Sequence, residues 1–273
     1  MSLAVVPELP EVESVRRQLA PRLVSQRIVA VRAVPQARFA DLERAVGARV
    51  ERLDRRGKYL IARLDHDLDL VMHLGMTGSF RFRGQGGWVP DAYVRATFSL
   101  DNQAVLDFRD VRRFGRLCVV DTGDYAGIAT LATLGPEPLS DGFDPDRFHA
   151  DLAATRMAVK PFLLTQRPVA GVGNIYADEA LWRARINPRA RRVGRVRAHT
   201  LWAAIRAVLA EAIEREGTTF RDYQMVNGES GRYAELLAAY GQAGKPCLRC
   251  GVTLAKTVLA GRGTTYCPSC QRR

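Results

Sequence analysis

Apolar residues in the first half of the chain follow a helical period at the start and a period of two afterwards. Val12, Val15, Leu19 and Leu23 recur at helical spacing after Pro10, and proline suits the first turn of a helix. Short alternating or β-branched segments follow at residues 28–31, 58–64, 68–74, 93–100, 104–108 and 115–120. The pattern therefore predicts one helix and then a β-rich domain, with a hairpin turn at residues 101–103.

The second half of the chain begins with a segment rich in Pro, Gly and Asp, residues 134–146, which predicts a linker. Beyond it the apolar period is helical, and Gly217 ends the longest helix. The apolar stripe of that helix consists of Leu201, Trp202, Ile205, Val208, Leu209, Ala212 and Ile213. We therefore expect a β-rich domain at 7–133, the linker, a helical domain at 147–240 and a cysteine-bearing module at 241–273.

Composition adds a strong positive charge. A chain of 273 residues suggests about two domains, and 41 Lys and Arg against 29 Asp and Glu give a net charge of +12. A folded chain this basic typically binds a polyanion, although an arginine-rich proteome would give the same excess. No apolar run has the length of a membrane helix, and the first six residues do not resemble a secretory signal. We expect a cytoplasmic protein that does not enter membranes.

Four of the five cysteines form two closely spaced pairs near the end of the chain. Cys247 and Cys250 make one CxxC corner, Cys267 and Cys270 make another, and sixteen residues separate the two corners. Two such corners supply the four thiolates of a closed, tetrahedral structural zinc site in a reducing compartment. Cys118 stands apart in an apolar run and is expected to be a small buried side chain.

The segment between the cysteine pairs, residues 256–266, has the pattern of a β-hairpin with Arg262 near its tip. Arg262 on a solvated turn would need no further explanation. A hairpin that zinc stabilises and that ends in a basic residue also suits insertion into a DNA groove.

The other chemical signal is PELPEVE at Pro7 to Glu13. Proline beside a carboxylate is common where a helix starts, and that interpretation needs no chemistry. It does not explain why two Pro-Glu pairs occur together. A terminal proline would be a secondary amine able to attack a sugar carbon and form an iminium ion, and Glu8 could transfer protons.

Together these motifs resemble the formamidopyrimidine-DNA glycosylases. The resemblance covers nearly the whole chain and rests on motifs that occur in order. They are PELPEVE, RRGKYL at 55–60, HLGMTGS at 73–79, RRFG at 112–115, LGPEPL at 134–139, KPFLL at 160–164, GVGNIYADEALW at 171–182 and the four-cysteine module.

The resemblance implies an α+β fold with an N-terminal β-sandwich and flanking helices, a helix-two-turns-helix domain and a C-terminal four-cysteine zinc finger. It implies a monomeric base-excision repair enzyme whose partner is damaged double-stranded DNA. Such an enzyme excises oxidised purines, 8-oxoguanine and formamidopyrimidines, and then cleaves the strand at the abasic site through a proline Schiff base. The implied cofactor is one structural zinc ion.

The resemblance also assigns catalytic roles to four residues. Pro7 matches the nucleophile that attacks C1′ of the damaged nucleotide, and Glu8 matches the carboxylate that transfers protons. Lys58 is similar to the family's hairpin lysine, which contacts phosphate near the lesion and assists proton transfer. Arg262 matches the finger arginine, which binds phosphates beside the lesion and acts in the later elimination step.

Five further residues match DNA contacts of the family. Met76, Arg112 and Phe114 resemble the trio that fills the gap left by a flipped base, with the arginine hydrogen-bonding to the orphaned cytosine. Ordinary packing would also account for Met76 and Phe114, but such loops rarely bury large apolar residues. Asn174 opens a helix that suits a phosphate, and Arg156 occupies a position that is usually basic in the family.

Three features are less settled by the resemblance. Glu179 either stabilises the glycine-rich turn or lies near the nucleophile. Residues 218–233 match the loop that closes over the flipped base. The family often has histidine near the position of Asp91. A carboxylate cannot bind phosphate as a histidinium would, so we assign no DNA contact there.

Two other functions are compatible with the same features. The sister group that excises oxidised pyrimidines also has a terminal proline, but it tends to PEGPE and lacks the same trio. Leu9, Met76 and Phe114 favour the purine enzyme. A non-catalytic protein that binds damaged DNA would keep the fold with a blocked proline.

The six residues before Pro7 generate a direct test. A proline nitrogen within a chain is an amide and cannot attack C1′, whereas an α-amine with a pKa of roughly 8 has a usable unprotonated fraction. Because GTG encodes valine internally but can also initiate translation, we expect the true start at Val6, with residues 1–6 a mis-annotated extension. A protein that begins Met-Pro-Glu should excise the base and form a borohydride-trapped adduct with lesion DNA. A protein that retains MSLAVV should do neither. Full lyase activity of protein shown by mass to retain all six residues would exclude Pro7 as the nucleophile.

Overall fold

The structure is a computed structural model that describes residues 6–83, 91–218 and 232–272. The chain divides into two compact units. The first unit contains the described residues up to Ala132 together with Thr218, and the second contains Thr133–Gly217 and the residues from Arg232 onwards. Helices and strands are numbered below in chain order.

The first unit combines one long helix with two β-sheets. Helix α1 spans Leu9–Leu23, close to the prediction, and the short helix α2 spans Ala129–Ala132. The strands are β1 (Ile28–Ala33), β2 (Phe39–Ala40), β3 (Val50–Arg56), β4 (Tyr59–Leu64), β5 (Leu68–His73), β6 (Gly78–Phe82), β7 (Val94–Leu100), β8 (Val105–Asp110) and β9 (Arg116–Asp121). A 3-10 turn at Leu42–Ala45 follows β2.

The nine described strands of the first unit form a four-stranded and a five-stranded sheet. Their orders are β1-β7-β8-β6 and β2-β9-β5-β4-β3, and among these strands only the short β2–β9 pair is parallel. One apolar core takes side chains from α1 and from both sheets, which is the packing of a β-sandwich. Representative members are Val15 and Leu19 from α1, Phe98 and Phe108 from one sheet, and Leu60 and Leu117 from the other. The predicted β-sandwich is confirmed.

Strands β2, β3 and β6 were not predicted from the sequence, and β3 shows why. Its seven residues bury only Val50 and Leu53 fully, and the register of its pairing with β4 shifts between Val50 and Arg52. A bulge of this kind interrupts the alternation on which strand prediction depends. Strand β2, with two residues, is too short to show any period.

The described residues of the second unit form four helices and a hairpin. The helices are α3 (Pro145–Ala154), α4 (Val159–Leu164), α5 (Asn174–Arg183) and α6 (Arg195–Glu214), and a 3-10 turn spans Tyr233–Leu236. Helix α6 ends as predicted, because Gly217 adopts a φ of +78° and donates its N–H to the Ala212 carbonyl at 2.7 Å. In the part of the chain that the structure describes, no helix is both long and apolar enough to cross a membrane.

The segment expected as a linker packs within the second unit. The N–H of Gly135 donates to the Gln166 carbonyl at 2.8 Å, and a Cβ at Gly135 would lie 2.1 Å from the Arg167 carbonyl oxygen. At the other end of the segment, Asp144 accepts a 2.7 Å bond from the N–H of Arg147 and caps α3. Residues 135–144 are therefore tied to α3 and to the residues after α4.

The predicted C-terminal hairpin is also confirmed. Strands β10 (Ala255–Leu259) and β11 (Arg262–Tyr266) pair in antiparallel register through a two-residue turn. Both turn residues, Ala260 and Gly261, have positive φ, which is the geometry of a tight hairpin. Arg262 is consequently the first residue of the returning strand, exposed at the tip.

Candidate functional site

Pro7 and Glu8 lie immediately before α1, and both are buried in this chain. The backbone N–H of Glu8 donates to Oε2 of Glu11 at 2.9 Å. The other carboxylate oxygen of Glu11 accepts the N–H and the hydroxyl of Thr218 at 2.7 and 3.0 Å. Glu11 thus fixes the backbone of Glu8 and ties it to Thr218. The sequence pattern indicated no role for Glu11 beyond the start of a helix.

Thr218 is the first residue of the segment 218–233, which matches the family's loop that closes over the flipped base. Residues 219–231 of that loop lie outside the described part of the chain. The described start of the loop is attached to Glu11 within the first unit.

Lys58 occupies the turn between β3 and β4 rather than the strand in which the sequence placed it. Gly57, with a φ of +56°, precedes it, and Tyr59 begins β4. The neighbouring strand places His73 opposite Tyr59, with the two ring centroids 4.7 Å apart. Lys58 is partly exposed at this edge of the sheet.

His73 is held neutral. Burial, and then the positive charges of Lys58, Arg116 and Arg38, lower the pKa of its imidazole to about 4. A neutral imidazole can accept a hydrogen bond, and Nδ1 accepts the N–H of Gly75 at 3.1 Å. His73 therefore fixes the loop that contains Met76, a role that the sequence analysis did not assign.

The loops that contain Met76 and Phe114 lie against each other. A Cβ at Gly75 would stand 2.6 Å from both Phe114 C and Gly115 N, and the φ of Gly75 is +65°. Only glycine allows such a close approach with this backbone conformation. The glycine between His73 and Met76 is therefore required by the contact between the two loops.

A buried carboxylate ties these two loops together. Asp110, at 0% exposure, accepts the Thr77 hydroxyl on Oδ1 at 2.5 Å and the Gly115 N–H on Oδ2 at 2.7 Å. The hydroxyl of Thr77 in turn accepts the N–H of Arg112 at 3.0 Å. Asp110 and Thr77 consequently set the backbone on both sides of Phe114. The only sequence signal for these two residues was that Thr77 is a small polar residue next to Met76.

The structure brings Met76, Arg112 and Phe114 onto this pair of loops. Phe114 is 44% exposed, so its ring is accessible on the surface of the first unit. The Arg112 guanidinium lies 4.9 Å from the centroid of its ring. The arrangement places an exposed aromatic ring beside the hydrogen-bond donors of a guanidinium group.

Asn174 is the first residue of α5, after a glycine-rich turn. Gln166 holds that turn, because its Oε1 accepts the Gly171 N–H at 2.8 Å and its Nε2 donates to the Val172 carbonyl. Among the described residues, the Oδ1 of Asn174 is one of two buried side-chain polar atoms without a hydrogen-bond partner. The start of α5 is suited to an anion because the helix dipole places partial positive charge at its N-terminus.

Arg156 and Arg262 are the two other predicted contacts in the second unit. Arg156 lies on the segment before α4, and Arg262 is exposed at the start of β11. Asp91, to which we assigned no DNA contact, accepts a 2.8 Å bond from Arg109 in the first unit.

The four cysteines of the C-terminal module are close enough to share one metal ion. All four Sγ atoms lie within 4.8 Å of one another, and none is in a disulfide. Ligands at about 2.3 Å around a tetrahedral zinc would be about 3.8 Å apart, so the donor set fits the ion. Trp182 of α5 donates its Nε1–H to Cys247 Sγ at 3.4 Å. The module binds one zinc ion. The ion is structural, because protein supplies all four ligands.

Glu179 holds a different part of the second unit. Its Oε2 accepts the N–H of Ala238 at 3.0 Å, and its Oε1 accepts those of Ala239 and Tyr240 at 2.9 and 2.8 Å. Burial raises the pKa of this carboxyl, and the three N–H donors oppose that rise by stabilising the charged form. Glu179 therefore secures the segment that leads into the cysteine module.

Comparison with known proteins places these features in one family. Residues 6–117 match the formamidopyrimidine-DNA glycosylase N-terminal domain, and residues 134–224 match the formamidopyrimidine-DNA glycosylase H2TH domain. Residues 244–273 match the zinc finger found in FPG and IleRS. The chain belongs to the formamidopyrimidine-DNA glycosylase family. The helix-two-turns-helix domain and zinc finger expected from the sequence are thereby confirmed.

Relatives in this family resemble the chain over nearly its full length. The formamidopyrimidine-DNA glycosylases of Deinococcus radiodurans and Thermus thermophilus are each 45% identical to it, covering 97% of this chain and 97% and 98% of their own. The crystal structure of the MutM (FPG) protein from Thermus thermophilus matches at 45% identity with a TM-score of 0.91, covering 97% of this chain and 98% of that one. A Lactococcus lactis FPG variant in complex with DNA containing Fapy-dG matches at 35% identity and a TM-score of 0.90, covering 98% and 100%.

The neutral His73 leads to an expected pH dependence. In the unfolded chain the imidazole has an ordinary pKa near 6.5, so acid protonates the unfolded state before the folded one. The contribution of His73 to stability is complete above about pH 6.5 and is lost as the pH falls towards 4, by at most ~3 kcal/mol. The measurement is the free energy of urea unfolding between about pH 7 and pH 4.5.

His73→Asn is the matched control for this pH dependence. The Asn oxygen can accept the Gly75 N–H but does not titrate, so the variant should lose less stability than the wild type over the same range. Identical pH profiles for the two proteins would show that His73 is not held neutral by the fold.

Proposed function

We propose that this chain is a bifunctional DNA glycosylase that excises oxidised purines from duplex DNA and then cleaves the strand at the abasic site. The observation that carries the proposal is the pair of loops tied by Asp110 and Thr77, which presents the exposed Phe114 beside Arg112. A wedge with an adjacent guanidinium suits a duplex from which one base has been extruded. The relative solved with Fapy-dG DNA supports an oxidised purine as the substrate.

The chemistry would begin at Pro7. As a terminal secondary amine, its nitrogen attacks C1′ while the bond from C1′ to the base breaks, and the base leaves with a proton. Opening of the sugar ring then gives an iminium ion between Pro7 and C1′. Loss of a proton from C2′ eliminates the 3′ phosphate and cleaves the strand.

Glu8 is the proposed proton-transfer group for these steps. The bond to Glu11 fixes the backbone of Glu8, the residue that follows Pro7 in the chain. Lys58, beside the neutral His73, is the proposed phosphate contact and auxiliary proton carrier. Because His73 is uncharged, the positive charge at this edge of the sheet comes from Lys58 and nearby arginines.

Binding to DNA is proposed to use the positive charge of both units. Phosphate contacts are assigned to Lys58 in the first unit and to Arg156, Asn174 and Arg262 in the second. Arg112 is assigned to the base opposite the lesion, because a guanidinium can donate two hydrogen bonds to a base edge. The net charge of +12 supports strong attraction to DNA at low salt.

Borohydride trapping tests the activity. Protein that begins at Pro7 is incubated with duplexes containing 8-oxoguanine opposite cytosine, an oxidised pyrimidine, or no lesion. We expect a covalent adduct mainly with the oxidised purine. An adduct mainly with the oxidised pyrimidine would favour the sister group, and tight binding without any adduct would indicate a non-catalytic protein that binds damage.

The two arginine assignments predict different phenotypes. Arg262→Ala should reduce the slope of log K against log salt by roughly 0.9, because one phosphate contact is lost. Arg112→Ala should leave that slope nearly unchanged and weaken the preference for cytosine opposite the lesion. The measurement is the binding of lesion duplexes at several salt concentrations, with each base opposite the lesion.

Arg195→Ala is the control for the loss of one positive charge, since Arg195 pairs with Asp146 on the surface of the second unit. It should change the slope less than Arg262→Ala does. The assignment of Arg112 is wrong if its variant weakens binding equally for all four opposite bases and lowers the slope as a phosphate contact would.

A further inference from the structure

Lys160 is a lysine at 0% exposure on α4, and the DNA contacts proposed above do not use it. A buried ammonium group is costly unless all its donors are satisfied. Its Nζ donates to Asp178 Oδ1 at 2.7 Å, to the Gly263 carbonyl at 3.1 Å and to Thr264 Oγ1 at 3.0 Å. One charged group therefore joins α4 and α5 to strand β11.

Asp178 completes this connection from the side of α5. It is 1% exposed, and its Oδ2 accepts the Thr265 N–H at 2.9 Å. Burial raises the pKa of its carboxyl to about 6 although Lys160 favours the charged form. Three consecutive residues of β11, Gly263 to Thr265, are thus bound by one buried ion pair.

Thr264 extends the connection to Arg262 itself. Its hydroxyl accepts from Lys160 and donates to the Arg262 carbonyl at 3.1 Å. The carbonyl groups of Arg262 and Gly263 are therefore both held, one through Thr264 and one directly by Lys160. The guanidinium remains exposed while its backbone is fixed.

Zinc constrains the other end of the hairpin. Cys267 follows β11 directly, and Trp182 contacts Cys247 from the last turn of α5. Asp178 lies one helical turn before Trp182 on the same face of α5. The helix therefore contacts the module at two places, the zinc cluster and the strand beside Arg262.

We propose that Lys160, Asp178 and Thr264 are positioning residues that fix the backbone of Arg262, so that its guanidinium meets the DNA phosphate in one orientation. This inference rests on the phosphate contact assigned to Arg262 in the proposed function. It adds a second constraint on the hairpin that does not depend on the metal. A flexible arginine at a hairpin tip loses conformational freedom on binding, and a fixed backbone reduces that loss.

Thr264→Val against Thr264→Ser is the most conservative test. Valine keeps the shape and the β-branch but cannot relay the hydrogen bond, whereas serine keeps the hydroxyl. Thr264→Val should weaken binding to an abasic-site duplex by roughly fivefold, and Thr264→Ser should bind within about twofold of the wild type. Zinc content, measured on each purified protein, should be unchanged in both variants.

A double-mutant cycle separates positioning from general stability. Lys160→Met with Asp178→Asn removes the buried charges together, so that neither is left unpaired. If the ion pair acts through Arg262, this change should weaken binding in the wild type and have little further effect in an Arg262→Ala protein. Leu209→Ala, which opens a cavity in α6 of the same unit, should have the same effect on binding in both backgrounds.

The outcomes are distinguishable. Wild-type binding by Thr264→Val and by the Lys160/Asp178 variant, with weak binding by Arg262→Ala, would overturn the positioning role alone. Additive losses in the cycle would also overturn it. A wild-type salt slope in Arg262→Ala would instead refute the assigned phosphate contact. If the Lys160/Asp178 protein does not fold, the Thr264 pair still decides the question.

Discussion

Two adjacent buried carboxylates on α5 determine how the second unit is organised. Asp178 and Glu179 are each 1% exposed, and a charge in such a position must be met by donors. Asp178 accepts from Lys160 and from strand β11, while Glu179 accepts from the three N–H groups at residues 238–240. Because successive residues of a helix point in different directions, two separate segments are bound to one helix.

Both ends of α5 carry residues that belong to the candidate site. Asn174 begins α5, and Trp182 near its end contacts the zinc ligand Cys247. The hairpin that presents Arg262 is bound in between, at Asp178. A change that displaced α5 would therefore disturb the glycine-rich turn, the hairpin and the zinc module together.

The first unit uses the same kind of interaction for its loops. Asp110 joins the loops that contain Met76 and Phe114, and Glu11 joins Glu8 to Thr218. In each case a buried carboxylate accepts backbone N–H groups from irregular segments, which cannot satisfy them by regular pairing. Charged acceptors make stronger hydrogen bonds than neutral ones, so they suit loops that must keep one conformation. The exposed Phe114 and Arg112 can then project from a fixed backbone.

The sequence by itself determined the metal site and those helices and strands whose apolar residues recur at a regular period. The apolar stripes of α1 and α6, most strands, the cysteine spacing and the hairpin were all predictable, because each depends on residues close together in the chain. The motifs also identified the family and the candidate residues from Pro7 to Arg262. Strand β3 was missed because its bulge breaks the alternation.

Only the tertiary structure decided which side chains support these residues. No sequence pattern indicated a supporting role for five polar residues, whose partners lie up to 207 positions away. They are Glu11, Thr77, Asp110, Lys160 and Asp178. A charge on an amphipathic helix is usually solvated, so no local pattern indicates that it is buried. Burial and the identity of the donor arise when distant segments pack together, which is why these positions became visible only in the folded chain.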